Sequence, residues 1–491
     1  MIQGTGLLFC AAGYFALLLL LSFLTGRNSS NDAFFRGNRQ SKWWAVAFGM
    51  IGASVSGVTF VSVPGMVSSS AMSYIQMCMG FVIGYALVAF VLLPIYYRLN
   101  LTTIYTYLDH RFGHTPYLTG SVFFFISKLI GASIRLFLVC EILQILIFDH
   151  YGIPFGLNTA IMLLLMWLYT RRSGIRTIVW SDCLQTLVLL VALVLIIFQL
   201  CNQLEWGFVQ TFHEVWDSPM SRIIMLDDPN SRHYFWKQFV SGIFVVVVMT
   251  GLDQDAMQKN LTCRNLRESQ LNMCVNGLFY LPVNILFMSL GVIMVIYTAQ
   301  TGLQLPSGDA LLPALCSGGY LGNGALICFT LGIIAAAFSS ADSAMASLTT
   351  SFCVDIARRP NDERLRKWVH PGIGLLFWVF IMIVKAVNST SVIDAVYTVC
   401  SYTYGPLLGL FAFGLLSKRQ PAHKLVPIIC MVSPVICYVT DWLVSSHIGY
   451  RFGYELLVFN GLLTYMMLLA SSAKFRTDNA CGNGHVQTLR G

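Results

Sequence analysis

The chain has 491 residues, 56% of them hydrophobic and only 11% charged, with a mean hydropathy of +0.69. That balance excludes a soluble globular protein and predicts an all-α polytopic membrane protein. The net charge of +8 would suit nucleic acid, but the basic residues fall almost wholly in alternate loops, so membrane lipid and no nucleic acid is expected around it. The 14 cysteines are scattered, mostly inside apolar runs (Cys78, Cys140, Cys328 and Cys400). They are expected to be free thiols rather than a disulfide framework or a metal centre.

An apolar run at residues 7–24 lacks a basic leader and a small-residue cleavage pattern. It reads as an uncleaved first span, making 1–25 an extra N-terminal helix. After a basic loop (Arg27, Arg36, Arg39 and Lys42), spans are predicted at 43–67, 74–97, 117–148, 155–169 and 178–200, a set of five within 43–200. A polar segment at 201–235 carries Glu205, Glu214, Asp217, Asp227 and Asp228. A second set of five within 236–416 is predicted at 236–257, 271–297, 326–354, 368–387 and 392–416. Two additional spans at 426–444 and 456–470 bring the total to about 13. The polar tail at 471–491 is expected to be disordered. Arg98, Arg111, Arg171, Arg172, Lys259, Arg264, Arg358 and Lys418, among others, share the side of the first basic loop, while the other side holds only Arg222, Arg232, Lys237, Lys385 and Arg451. The excess predicts an N-terminus outside and a C-terminus in the cytoplasm.

Two spans contain breaks. FGMIGASVSGVTFVSVPG at 48–65 clusters glycine and serine at mid-depth, which weakens helix and frees carbonyls that lipid tolerates only along a cavity or an ion; close helix packing is the alternative. TGLDQDAMQK at 250–259 places Asp253 and Asp255 near the end of an apolar span, with Asp253 the deeper and Asp255 equally readable as interfacial. Each break opens a five-helix set, and an odd-numbered set inverts when repeated, which is the layout of inverted-repeat secondary transporters. A third stretch, AAAFSSADSAMAS at 335–347, brings Ala336, Ser339, Ser340 and Ser343 near one face of a span, with Asp342 bordering it. Small residues and serines also serve as helix-packing glue. A carboxylate at that depth instead needs a cation or a proton, and oxygen-rich surroundings suit a hard cation.

Four motif groups carry a resemblance. They are FFRGNRQSKWWAV at 34–46, GIRTIVWSDCLQT at 174–186, QDAMQK at 254–259, and the pair AAAFSSADS at 335–343 with GPLLGLFAFGLLSKR at 405–419. Together, in this order, they resemble the sodium:solute symporter family. The resemblance implies the leucine-transporter fold, a 5+5 inverted repeat, with Na+ as the coupling ion. It implies a main sodium site at the carbonyls of Gly52, Val55 and Ala336 and the hydroxyls of Ser339 and Ser340. Some members hold a second sodium near a position that matches Asp182, whose partners would be Ser339, Asp342 and Ser343. Asp342 departs from the commoner small hydroxyl residue, and two carboxylates in one site need a bridging Na+ or a shared proton. Bridging Na+ is the expectation, with proton binding as the rival and Asp342 turned away to pair with a basic group as the remaining alternative.

Arg135 and Lys128 read as the only basic residues well inside a span, where charge is functional by default. The sialic-acid branch of the family uses an Arg in this helix for the substrate carboxylate. Gapless counting puts that position at Gly131, one turn before Arg135, which could instead pair with Glu141 or Asp182. Lys128 reads as structural. Solute contacts are expected from Ser54, Ser56, Thr59, Gln76, Met249, Thr250 and Asp253, mostly neutral hydrogen-bonders suited to a sugar or sugar acid. The family's sugar-stacking Tyr corresponds to Met249, which weakens a simple hexose. The expected activity is sodium-coupled symport of a small polar organic solute by a monomer, with proton coupling as the alternative. No repeated filter loop marks a channel, and no H-E-x-x-H or G-x-S-x-G marks an enzyme.

Overall fold

The computed structural model describes residues 4–25, 30–171, 174–387, 392–447, 450 and 452–472. Arg27, Arg172, Arg451 and the predicted tail beyond 472 lie outside the described residues. Among those described, the regular structure is helical apart from one isolated bridge between Ser41 and Cys263. The chain opens with α1 (Gly4–Thr25). A broken helix follows, α2 (Trp43–Ser54) and α3 (Gly57–Gly65), then α4 (Tyr74–Leu87), α5 (His114–Leu143), α6 (Phe155–Thr170) and α7 (Ile175–Gln203). The polar connection carries a short α8 (Phe208–Asp217). A second broken helix, α9 (Phe235–Val246) and α10 (Gln254–Asn260), leads to α11 (Leu266–Thr301), α12 (Gly322–Ser351), α13 (Glu363–Val387), α14 (Val392–Thr403) and α15 (Gly405–Leu416). The last two helices are α16 (Val426–His447) and α17 (Leu456–Ser471).

Eight of these helices are long and apolar enough to cross a membrane, or up to 11 if each bent pair counts as one span. α6 and α17 are apolar but only 16 residues long. Several spans outrun their sequence-predicted ends, α11 most of all at 36 residues, because hydropathy stops at the first polar residue whereas helix continues into the interface. The predicted span at 392–416 is in fact bent by 43° between α14 and α15. Pro406 sits in the first turn of α15, where it lacks an N–H to continue the ladder from α14.

The helices form two groups around the breaks. α11 lies against both halves of the first broken helix and against α4, and α4 packs along α9. α12 packs against α5 and α13, and α6 joins α13. α7 lies between the groups, most extensively on α12 and also on α2. That approach needs glycine, since a Cβ on Gly52 would fall 2.0 Å from Thr186 Oγ1 and one on Gly49 2.8 Å from Asp182 Cβ. α12 is the central element: 78% of its most apolar window is buried, against 22% for α13. Its alanines and serines are what allow that closeness. The outer faces carry large exposed apolar side chains such as Phe9, Phe90, Phe198 and Trp442. The thirteen described cysteines are free thiols.

Candidate functional site

The first break is built from weak helix formers. α2 stops at Ser54, Val55 (φ −85°, ψ 82°) and Ser56 (φ −72°, ψ 170°) leave the helical region, and α3 resumes 53° off axis. Among the described residues no backbone N–H bonds the carbonyl of Gly52 or Val55 across this gap. The break lies on α12, because a Cβ on Gly57 would stand 3.6 Å from the Ala337 nitrogen. On α12, Ser340 Oγ donates to the carbonyls of Ala337 at 3.1 Å and Ala336 at 3.4 Å. Its oxygen lone pairs stay available. The Ser339 hydroxyl donates to Asp182 Oδ1 at 2.6 Å. Bare carbonyls and two hydroxyl oxygens are hard ligands that fit a hard monovalent cation such as Na+.

The second break follows a π turn at Val247–Gly251, and α10 leaves at 68°. Asp253 (φ −104°, ψ 118°) caps α10 by accepting the Asp255 N–H at 2.8 Å, satisfying an otherwise orphaned donor. Lys128 Nζ lies 3.0 Å from Asp253 Oδ2 and 2.7 Å from Asp255 Oδ2. Asp255, readable as interfacial from sequence, is therefore a buried partner of Lys128. Tyr404 adds a hydroxyl donated to Asp253 Oδ2 at 2.9 Å. Tyr96 and Tyr105 donate to the carbonyls of Gly251 at 2.9 Å and Leu252 at 2.7 Å.

Between the breaks lies a cavity of about 760 Å³, taken out to its open mouth. Ser54, Arg135, Met249, Thr250 and Asp253 line it, together with Ser340, Tyr85, Tyr280 and Tyr397. Arg135 makes neither of its candidate ion pairs. Glu141 is taken by Lys385 at 3.7 Å and Asp182 by Lys259 at 2.8 Å, and Arg135 has no ion pair among the described residues. Gly131 lines a smaller pocket behind Met249, and a Cβ there would meet nothing within 4 Å.

Three expected solute contacts lie elsewhere. Ser56 and Thr59 are buried in the start of α3 and line neither cavity. Gln76 is fully engaged: its Nε2 donates to Ser73 O (3.1 Å), His233 O (3.0 Å) and Gln238 Oε1 (3.0 Å), and its Oε1 accepts the Met225 N–H (3.0 Å). It clasps the long polar connection to α4 and α9.

The residues expected around a second ion are close together but differently occupied. Lys259, assigned from sequence to the cytoplasmic loops, is only 2% exposed and its ammonium sits on Asp182 Oδ2. Asp342 Oδ2 accepts the Tyr169 hydroxyl at 2.6 Å. The Ser343 hydroxyl is donated to the backbone, to Ser339 O at 3.0 Å and Ser340 O at 3.4 Å. Sequence reading missed Lys259, Tyr169 and Tyr404. Lys259 follows Asp255 by one helical turn and so shares its face of α10, but the sequence did not mark that face as buried.

The sodium:solute symporter family model matches residues 34–423. The human sodium/iodide cotransporter is 26% identical over 427 residues, 82% of this chain and 65% of its own length. The sodium/sialic acid symporter NanT of Aliivibrio fischeri is 25% identical over 444 residues, 86% of this chain and 85% of its own. Among solved structures, a substrate-bound, outward-open Na+-coupled sialic acid symporter superimposes with a TM-score of 0.78 at 21% identity, covering 95% of this chain and 97% of that one. Mhp1, a nucleobase-cation-symport-1 family transporter, superimposes at 0.58 and 13% identity, covering 91% and 94%. The fold is shared with both, and the family match extends from the helix before the first break to the loop after α15. The chain belongs to the sodium:solute symporter family.

Proposed function

We propose that this protein is a sodium-coupled secondary active symporter that imports a small polar organic solute carrying an anionic group, a sugar acid or similar carboxylate. The observation that carries the anionic reading is Arg135, a guanidinium that lines the cavity without an acidic partner. Arg135 is half-buried, and an unpaired cation with so little access to water is costly until an anion reaches it. The relatives support the same class, since iodide, sialic acid and monocarboxylates are all anions. Ser54 and Thr250 supply neutral hydrogen bonds, and Met249 offers apolar contact in place of a stacking ring.

In this reading residues 43–200 and 236–416 are the two inverted repeats, with 1–25 and 426–470 as added helices. The N-terminus faces outside and the C-terminus the cytoplasm, in a cell membrane, and the monomer is the working unit. Na+ is assigned to the carbonyls of Gly52, Val55 and Ala336 and the hydroxyls of Ser339 and Ser340, where it would tie the first break to α12. One charge moving down 100 mV supplies about 2.3 kcal/mol towards uphill uptake. The tyrosine clamps on Gly251, Leu252 and Asp253 keep the second break closed until the helix groups rock against each other.

Thermal unfolding of the purified chain against sugars, sugar acids, monocarboxylates and amino acids, with and without Na+, tests this function. One anionic solute should raise the melting temperature in Na+ only. Arg135→Gln should weaken that response by roughly 10- to 100-fold in solute concentration, the worth of a hydrogen bond to a charged group, while the response to Na+ alone stays. A neutral solute that binds equally well to Arg135→Gln would overturn the anionic assignment.

A further inference from the structure

We infer that the Lys259 ammonium is the resident cation of the Asp182–Asp342 pair, so that this protein binds a single mobile Na+, at the first break, and no second Na+ beside Asp182. The inference rests on the sodium-coupled reading above. It concerns how many ions that coupling uses.

Each oxygen of Asp182 already has a neighbour. Its Oδ2 lies 2.8 Å from Lys259 Nζ, and its Oδ1 accepts the Ser339 hydroxyl at 2.6 Å and, in the amide orientation that satisfies both groups, the Gln185 side chain at 3.2 Å. Both charged side chains are buried, at 2% and 1% exposure. Lys259 is also held in place. Neighbouring Gln258 anchors α10 through Nε2 to Phe35 O and Thr350 Oγ1, each at 2.9 Å, and Asp253 caps the helix at its other end. The backbone that carries the ammonium is therefore fixed, and only the side chain's own rotamers can move it.

A sodium ion within about 4 Å of that ammonium would meet a like charge in a poorly solvated interior, weakening its binding on the order of several hundredfold. The oxygens around the pair also have neighbours of their own. The Ser343 hydroxyl is donated to the backbone, and Tyr169 holds Asp342 Oδ2. What is buried here without a hydrogen bond is Asp342 Oδ1, the Tyr14 hydroxyl on α1, and Asp182 Oδ2, whose neighbour is the Lys259 ammonium. Asp342 itself lies within Coulombic reach of Lys259. The ammonium therefore does permanently, for both carboxylates, what a visiting ion would do transiently.

Binding of radioactive Na+ to the purified full-length chain, without solute, counts the sites. One Na+ per chain with single-site dependence is expected. Lys259→Met should raise the count to two, because Asp182, Asp342 and the Tyr14 hydroxyl then need a cation. Adding Asp182→Asn to Lys259→Met removes the vacated charge and should return the count to one. Asp342→Asn alone should leave it at one. Should Lys259→Met fail to fold, the wild-type and Asp342→Asn counts still decide. Two ions on the wild type, with one lost in Asp342→Asn, overturn the inference, as does a Lys259→Met chain that still binds one. No Na+ on the wild type would instead refute the sodium-coupled reading itself.

Discussion

At the first break the chain leaves its carbonyls bare, and at the second it ties them down. Gly52 and Val55 accept no backbone hydrogen bond across their gap among the described residues, and no charged side chain lies on that segment. Gly251 and Leu252 are each held by a tyrosine hydroxyl, and Asp253 by Lys128, Tyr404 and the amide it caps. Both breaks lie in a membrane protein, where an unsatisfied carbonyl costs several kcal/mol. The difference is in who supplies the missing partner. An ion that comes and goes needs oxygens left free for it, whereas a hinge with one resting angle needs partners that never leave. The same division separates the ion site from the Asp182–Lys259 pair, where the partner is covalently part of the chain.

The most damaging way to break this contrast is to remove the fixed cation of the second break. Lys128→Met would leave Asp253 buried without its ammonium and Asp255 with only the Lys259 charge in reach, a loss of about 3–5 kcal/mol. We expect a melting temperature lower by many degrees and no transport, both partly restored by adding Asp253→Asn and Asp255→Asn. A melting temperature within a degree of wild type would mean that the pair contributes nothing to holding the break. A smaller effect is expected at the first break. Ser340→Ala removes one oxygen from the proposed cage and should raise the Na+ concentration for half-maximal thermal stabilisation by roughly tenfold, about 1.4 kcal/mol. Ser343→Ala, whose hydroxyl is not among the five proposed ligands and bonds its own helix at Ser339 O, should leave it where it is. Equal shifts in the two variants would argue that the serines act through packing alone.

Much of this was legible in the sequence, for identifiable reasons. Both breaks declared themselves through Gly–Ser clustering and through paired acids at the end of an apolar run, since each motif is unfavourable in a continuous membrane helix. The central role of α12 followed from its alanines and serines. What sequence could not supply were pairings between distant segments. Lys259 and Asp182 are 77 positions apart and meet only because α10 leaves its break at 68° and turns inward. Counting hydropathy along the chain places Lys259 among the cytoplasmic basic residues, and only the bend carries it inside. Gln76 was misleading in the opposite direction. A glutamine in a membrane helix reads as a solute contact, yet four hydrogen bonds account for it: two to a loop some 150–160 residues away (Met225 and His233), one to Gln238 on α9 and one to neighbouring Ser73.

The smallest expected effect tests whether the third bend belongs with the second break. Tyr404 is the residue between α14 and α15, and the 43° turn imposed beside Gly405 and Pro406 aims its hydroxyl at Asp253. Tyr404→Phe keeps the ring and the apolar packing, and Asp253 retains both Lys128 and its capped amide. The net loss is therefore about 1 kcal/mol, too little to shift global unfolding by much. It should appear locally, as amide hydrogen exchange about fivefold faster in the first turn of α10, where opening is governed by the cap and its partners. Residues 52–57 at the first break should exchange as in the wild type. If both breaks loosened together, Tyr404 would be bracing the whole cavity, and the two breaks would open as one unit rather than as an ion-held hinge beside a hydrogen-bonded one.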